Sequence, residues 1–139
     1  LRHVPCPEGY LKCFGMALDP EGNWVALLLS DRNRPIVDLH SVTTAQKPVR
    51  LARLPSQQIQ SRATTLFRLV PSPCGKQLAV VTGEGLVTLY DPITGERTRN
   101  ITSVPTPDAT GSNALAFSPD AREVALTNTS QLCICSTVG

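Results

Sequence analysis

Five cysteines (Cys6, Cys13, Cys74, Cys133 and Cys135) and two histidines (His3 and His40) are the side chains here with most chemical potential. Five is an odd number and no CxxC spacing occurs, so neither a disulfide framework nor a zinc site is expected. The thiols read as reduced. Cys133 and Cys135, two apart on a strand-like run, project to one face. A metal or redox centre would need partners that two histidines cannot supply, so the pair reads as small buried hydrophobes. In a gap-free alignment with residues 85–96 they take the places of Val87 and Leu89. Cys74 sits in an exposed Pro-Cys-Gly turn with no histidine nearby in sequence, and so lacks the base a nucleophile requires. Asp19, Asp91 and Asp120 stand beside turns, where a carboxylate bonds local backbone NH groups. Gly83-Glu-Gly85 lies between two apolar runs and reads as a hairpin turn, not a phosphate loop. No catalytic residue, metal site or cofactor is expected.

The elements around these residues follow from a repeat. The segments MALDPEGNWVALLLS (16–30), LVPSPCGKQLAVVTG (69–83) and LAFSPDAREVALTNT (115–129) align without a gap. Their shared proline falls at Pro20, Pro73 and Pro119. Each is followed by a second matching run: PIVDLHSVTTAQ (35–46), GLVTLYDPITGE (85–96) and QLCICSTVG (131–139). Proline cannot donate to a sheet ladder, so it ends the first strand of each unit. The next residues turn, with Gly22 and Gly75 free to take a positive φ; Ala121 replaces glycine in the third copy, which implies strain or another turn type. VALLL (25–29), LAVV (78–81) and EVAL (123–126) then read as strands buried on both faces. Val87 and Leu89 alternate with Thr88 and Tyr90 in the third strand, and the fourth, ERTRNI (96–101) or KPVRLARL (47–54), is polar and charged.

Four-stranded antiparallel units recurring every ~40–50 residues describe blades of an all-β propeller. AFSPD (116–120) resembles the corner after the first strand in the WD-repeat family. GLVTLYDPITGE (85–96) resembles that family's third strand, with Tyr90-Asp91 where its Trp-Asp pair stands. The other copies carry His40-Ser41 and Ser136-Thr137 at that place, and the Gly-His dipeptide of the family is missing. The resemblance covers nearly the whole chain and implies a fold of propeller blades, about three blades' worth, belonging to a larger ring.

The expected organisation is an outer strand of a preceding blade with linker over 1–12, a blade over 13–54 and a loop over 55–65. A second blade over 66–101, a loop over 102–112 and an incomplete three-stranded blade over 113–139 follow. Known rings use about four to eight blades. The end blades would therefore expose apolar faces and the edge of QLCIC, unless further blades come from the same longer chain or from other copies. The absent initiator methionine favours a longer chain.

With a formal charge of +2 and aromatics at 4%, charge and stacking surface for nucleic acid are scarce, and Arg97 and Arg99 read as a charged outer edge. No apolar run approaches the roughly 20 residues that span a bilayer. LRHVPCPEGY has no apolar h-region, so the expected location is the cytoplasm or nucleus; the sequons at Asn100 and Asn128 point weakly the other way. Three long connections, SDRNRP (30–35), PSQQIQSRATT (55–65) and TSVPTPDATGS (102–112), should gather on one rim. Arg32, Arg34, Gln57, Gln58, Arg62 and Asp108 are the candidate partner-binding residues there. A non-catalytic protein-interaction scaffold is the leading function class. A propeller that binds RNA or a cytoskeletal polymer comes second, and a propeller enzyme last.

Overall fold

Three short antiparallel sheets follow one another along the chain in the structure, a computed structural model whose described residues are 12–31, 34–52, 54, 68–81, 86–101, 114–127 and 132–138. The first sheet runs in chain order through β1 (Lys12–Leu18), β2 (Trp24–Asp31), β3 (Arg34–Ser41) and β4 (Val49–Arg50). The middle sheet repeats the order with β5 (Arg68–Pro71), β6 (Leu78–Val81), β7 (Val87–Tyr90) and β8 (Arg97–Ile101). The third has β9 (Ala114–Phe117), β10 (Glu123–Thr127) and β11 (Leu132–Ser136). The segment LRHV (1–4) lies outside the described residues.

The corner after each first strand is built the same way three times. The amides of Asp19, Ser72 and Ser118 donate across the turn to the carbonyls of Trp24, Gln77 and Glu123 at 2.9–3.0 Å. Gly22, Gly75 and Ala121 then donate back to the carbonyls of Asp19, Ser72 and Ser118. All three close the turn with positive φ, Ala121 at 58° beside Gly22 at 76° and Gly75 at 67°. The third turn is thus the same turn, with an L-residue held in the left-handed region.

Packing alternates along the middle sheet. Leu78, Val80 and Tyr90 face the first sheet, in a cluster with Ala17, Trp24, Ala26, Leu28, Val37, Leu39 and Leu51. Ala79, Val81, Val87 and Leu89 face the other way, with Ile101, and pack on Val124 and Leu126 of the third sheet. A two-residue period with both sides apolar is what a sheet sandwiched between two others requires. The first strands β1 and β5 of the first two sheets lie side by side.

Two expectations are corrected by the registers. Four of the six residues of SDRNRP are in strands: β2 reaches Asp31, β3 begins at Arg34, and these two pair. The extra residues lengthen the ladder and not the loop. The gap-free alignment of QLCIC also fails by one position. Val124 pairs with Cys135 as Leu78 pairs with Tyr90, and Leu126 pairs with Cys133 as Val80 pairs with Thr88. Cys133 and Cys135 therefore take the places of Thr88 and Tyr90, and Leu132 and Ile134 those of Val87 and Leu89. The connection after β10 is one residue shorter than that after β6, and a one-residue slip moves every side chain to the opposite face. His40 keeps its expected place, since Val25 pairs with His40.

Candidate interaction surfaces

The ladders show which strand ends share a rim. Ser30 lies opposite Lys12, Val81 opposite Arg68 and Thr127 opposite Ala114, so every second strand ends where its first strand begins. Ile101, at the end of β8, lies opposite Val87 at the start of β7. The strand ends that flank 32–33, 82–85, 102–113 and 128–131 thus all lie at that rim, whereas 55–65 follows β4, whose last residue Arg50 lies opposite Asp38 within β3, and is outside the described residues. Arg34 opens β3 there by its backbone. Its side chain, and Arg32, Gln57, Gln58, Arg62 and Asp108 altogether, lie outside the described residues.

The opposite rim holds the three corners and the hairpins between third and fourth strands, and it is here that the sheets are tied together. The Trp24 indole Nε1–H donates to the Gly75 carbonyl at 3.3 Å, from the first sheet to the middle sheet's corner. A Cβ on Gly75 would collide with the Asp19 carboxylate. That carboxylate is itself engaged, accepting from the backbone NH of Asn23 at 2.9 Å and of Glu21 at 3.3 Å. A second tie joins the Ala52 amide to the Gly95 carbonyl at 2.9 Å. A Cβ on Gly95 would press on Val49 Cγ1 at 2.7 Å. Glycine is needed at both ties because the neighbouring sheet occupies the space of a side chain.

The turn carboxylates behave as the sequence implies. Asp91 accepts from the amides of Ile93 at 2.7 Å and Thr94 at 3.2 Å. Asp120 accepts from the Ser118 hydroxyl at 2.6 Å and the Arg122 amide at 3.1 Å, bonds that hold its pKa below the ordinary carboxylate value. Sequence reasoning missed the matching role of Ser72 and Ser118, whose hydroxyls accept from the amides of Gln77 and Glu123 at 3.0 Å. Their position just before each proline was the available signal. Cys74 is exposed, with the Ser72 hydroxyl 3.4 Å from its sulfur; that contact and the Lys76 amide lower its pKa. Tyr90 is buried, and desolvation pushes its pKa up to about 12 against the opposing charge of Arg97. The Nε2 atom of His40 is buried with no hydrogen-bond partner among the described residues. No group of three His, Cys, Asp or Glu side chains converges among the described residues in a way that could hold a metal ion.

The third sheet presents a different surface. Cys133 and Cys135 are half-buried on the side of the middle sheet, with Cys135 against the second cluster. Leu132 and Ile134 point away and are 65% and 64% exposed, whereas Val87 and Leu89 at the same places in the middle sheet are each 1% exposed. Met16 and Leu18 are similarly open on the far side of the first sheet.

No protein-family model matches this chain, and no curated protein sequence matches it significantly. Among solved structures, the chain is similar to the β-propeller domain of Cps50 (Swd1) from Myceliophteria thermophila. The TM-score is 0.56 at 15% identity, over 91% of this chain and 42% of that one. The chain thus spans less than half the length of the domain it resembles. Three antiparallel sheets packed one on the next in chain order, and this structural likeness, together establish the fold: the chain is built of β-propeller blades.

Proposed function

We propose that this chain is a section of a WD-repeat-like β-propeller that serves as a non-catalytic protein-interaction scaffold within a larger assembly. The observation that carries this reading is the double tie between sheets, Trp24 to Gly75 and Ala52 to Gly95, over a shared apolar cluster. It makes a stiff frame, and in this reading the long connections gather on one rim of it, an arrangement well suited to partner recognition. The remaining blades belong to the same longer polypeptide in this reading, and the partner contacts Arg32, Arg34, Gln57, Gln58, Arg62 and Asp108. The compartment in this reading is the cytoplasm or nucleus, in keeping with an odd number of cysteines without CxxC spacing.

The test is affinity capture with the intact chain beside a variant carrying Arg32→Ala, Arg34→Ala and Arg62→Ala. The expected result is a defined set of recovered proteins, depleted for the variant while its circular dichroism stays unchanged. Equal recovery by both would remove the rim from the account. Capture that vanishes with ribonuclease and falls steeply with salt would move the reading to RNA.

A further inference from the structure

The two interfaces between neighbouring sheets use the same places but not the same chemistry. At the first, the Asp19 carboxylate of one sheet fills the space beside Gly75 of the next, and the Trp24 indole donates to the Gly75 carbonyl. At the second, Ser72 stands where Asp19 does, Gln77 where Trp24 does, and Ala121 where Gly75 does. The donor to the corner carbonyl also changes. Thr137, two residues after Cys135, gives its hydroxyl hydrogen to the Ala121 carbonyl at 2.6 Å. Pro92 holds that place in the middle sheet, two residues after Tyr90, and has no N–H or hydroxyl to give. The Gly75 carbonyl thus takes its donor from the preceding sheet, whereas the Ala121 carbonyl is satisfied within its own. Gln77 keeps its buried Oε1 without a partner among the described residues. Burial follows the same places: Asp19 and Ser72 are 2% and 0% exposed, while Ser118, with no described sheet after its own, is only half-buried.

We propose that these are two matched corner sets, and that they decide which sheet can follow which. Asp19 with Trp24 accepts the corner of Gly75 and Pro92, and Ser72 with Gln77 accepts the corner of Ala121 and Thr137. The repeat sets the Ala121 methyl beside Ser72 as it sets Gly75 beside Asp19. An alanine at φ 58° fits there because serine is shorter than aspartate and is held to its own corner, accepting from the Gln77 amide at 3.0 Å. Were the third sheet to dock on the first, the Ala121 methyl would meet the Asp19 carboxylate, and the Trp24 N–H would face a carbonyl already taken. Were the middle sheet to dock on a second copy of itself, the Gly75 carbonyl would lose its indole donor. Both contact clusters consist mostly of aliphatic side chains, which do not discriminate between neighbours of one shape. Docking out of order is a characteristic failure of repeat proteins, and a clash or an unpaired polar group built against the wrong neighbour prevents it.

Two double-variant cycles, read by urea unfolding of the intact chain, test this. The first combines Gly75→Ala with Asp19→Ser, and the second combines Ser72→Asp with Ala121→Gly. Gly75→Ala should lower the folding constant at least about tenfold more in the parent than in the Asp19→Ser chain, where the shorter side chain leaves room for the methyl. Ser72→Asp should likewise cost at least about tenfold less once Ala121→Gly has removed the methyl in its way. Left-handed strain at 75 or 121 and the lost caps of Asp19 enter both arms of a cycle and cancel. Trp24 is the single tryptophan and 7% exposed, so its emission reports docking of the first two sheets. It should move to the red in Gly75→Ala and return in the double variant. If a single variant fails to fold by circular dichroism, a double variant that regains the fold supports the pairing, and one that stays unfolded overturns it. Additive losses in either cycle overturn the proposal, as does Trp24 emission that Gly75→Ala leaves unchanged. Partner capture through the rim is a separate measurement, so failure here leaves the scaffold reading standing.

Discussion

Gly22 and Gly75 occupy the same turn position with nearly the same positive φ, yet their surroundings separate them. Nothing lies within 4 Å of a Cβ built on Gly22, while one on Gly75 meets the Asp19 carboxylate. Gly22→Ala should cost only the left-handed strain, about 1–2 kcal/mol. Gly75→Ala should cost that and roughly 1–3 kcal/mol more, because a buried, hydrogen-bonded carboxylate must move. Urea midpoints of the two variants check the order, and equal losses would dissolve the tie between the sheets. Tyr90 gives a second residue-scale prediction. Its folded pKa is raised from 10.0 to about 12, so the folded state keeps the proton that the unfolded state releases. This contribution is whole below pH 10 and is lost as pH rises towards 12, by roughly 3 kcal/mol at most. Tyr90→Phe should flatten the fall in stability across that window.

The strands show where sequence patterning carries information and where it does not. A proline marks each first turn and a glycine closes two of the three, so the repeat, the three corners and the alternation of Val87, Thr88, Leu89 and Tyr90 were legible. The register of β11 was not: Leu132, Cys133, Ile134 and Cys135 are apolar at consecutive positions, and a run without polar alternation looks the same after a one-residue slip. SDRNRP read as a loop because its residues are polar, whereas pairing of Asp31 with Arg34 is a property of two strands together. The candidate rim residues were legible only as surplus length in polar connections, which places them on a rim without giving their geometry. The corrected register has a measurable consequence, since Leu89 and Ile134 hold equivalent places with opposite exposure. Leu89→Ala should destabilise by about 2–5 kcal/mol. Ile134→Ala should cost under about 1 kcal/mol. Comparable losses would mean that a blade covers Ile134 in the free chain.

At the scale of the molecule, one requirement organises the rest: each sheet has two apolar faces, and a row of such sheets is stable only when neighbours cover both. The middle sheet meets that condition, with one cluster on each side. Covering is incomplete at the ends: Met16 and Leu18 are exposed on the first sheet, although Leu27 and Leu29 on the same face are buried, and Leu132 and Ile134 are exposed on the third. The most direct test is a set of methyl nuclear Overhauser contacts from the middle sheet in solution. Beyond their own sheet, the Leu78 and Val80 methyls should contact first-sheet residues such as Leu28 and Val37, and the Val81 and Leu89 methyls third-sheet residues such as Val124 and Leu126. Contacts from both sets to a single neighbouring sheet would mean a two-layer sandwich, and would contradict the packing of one sheet on the next.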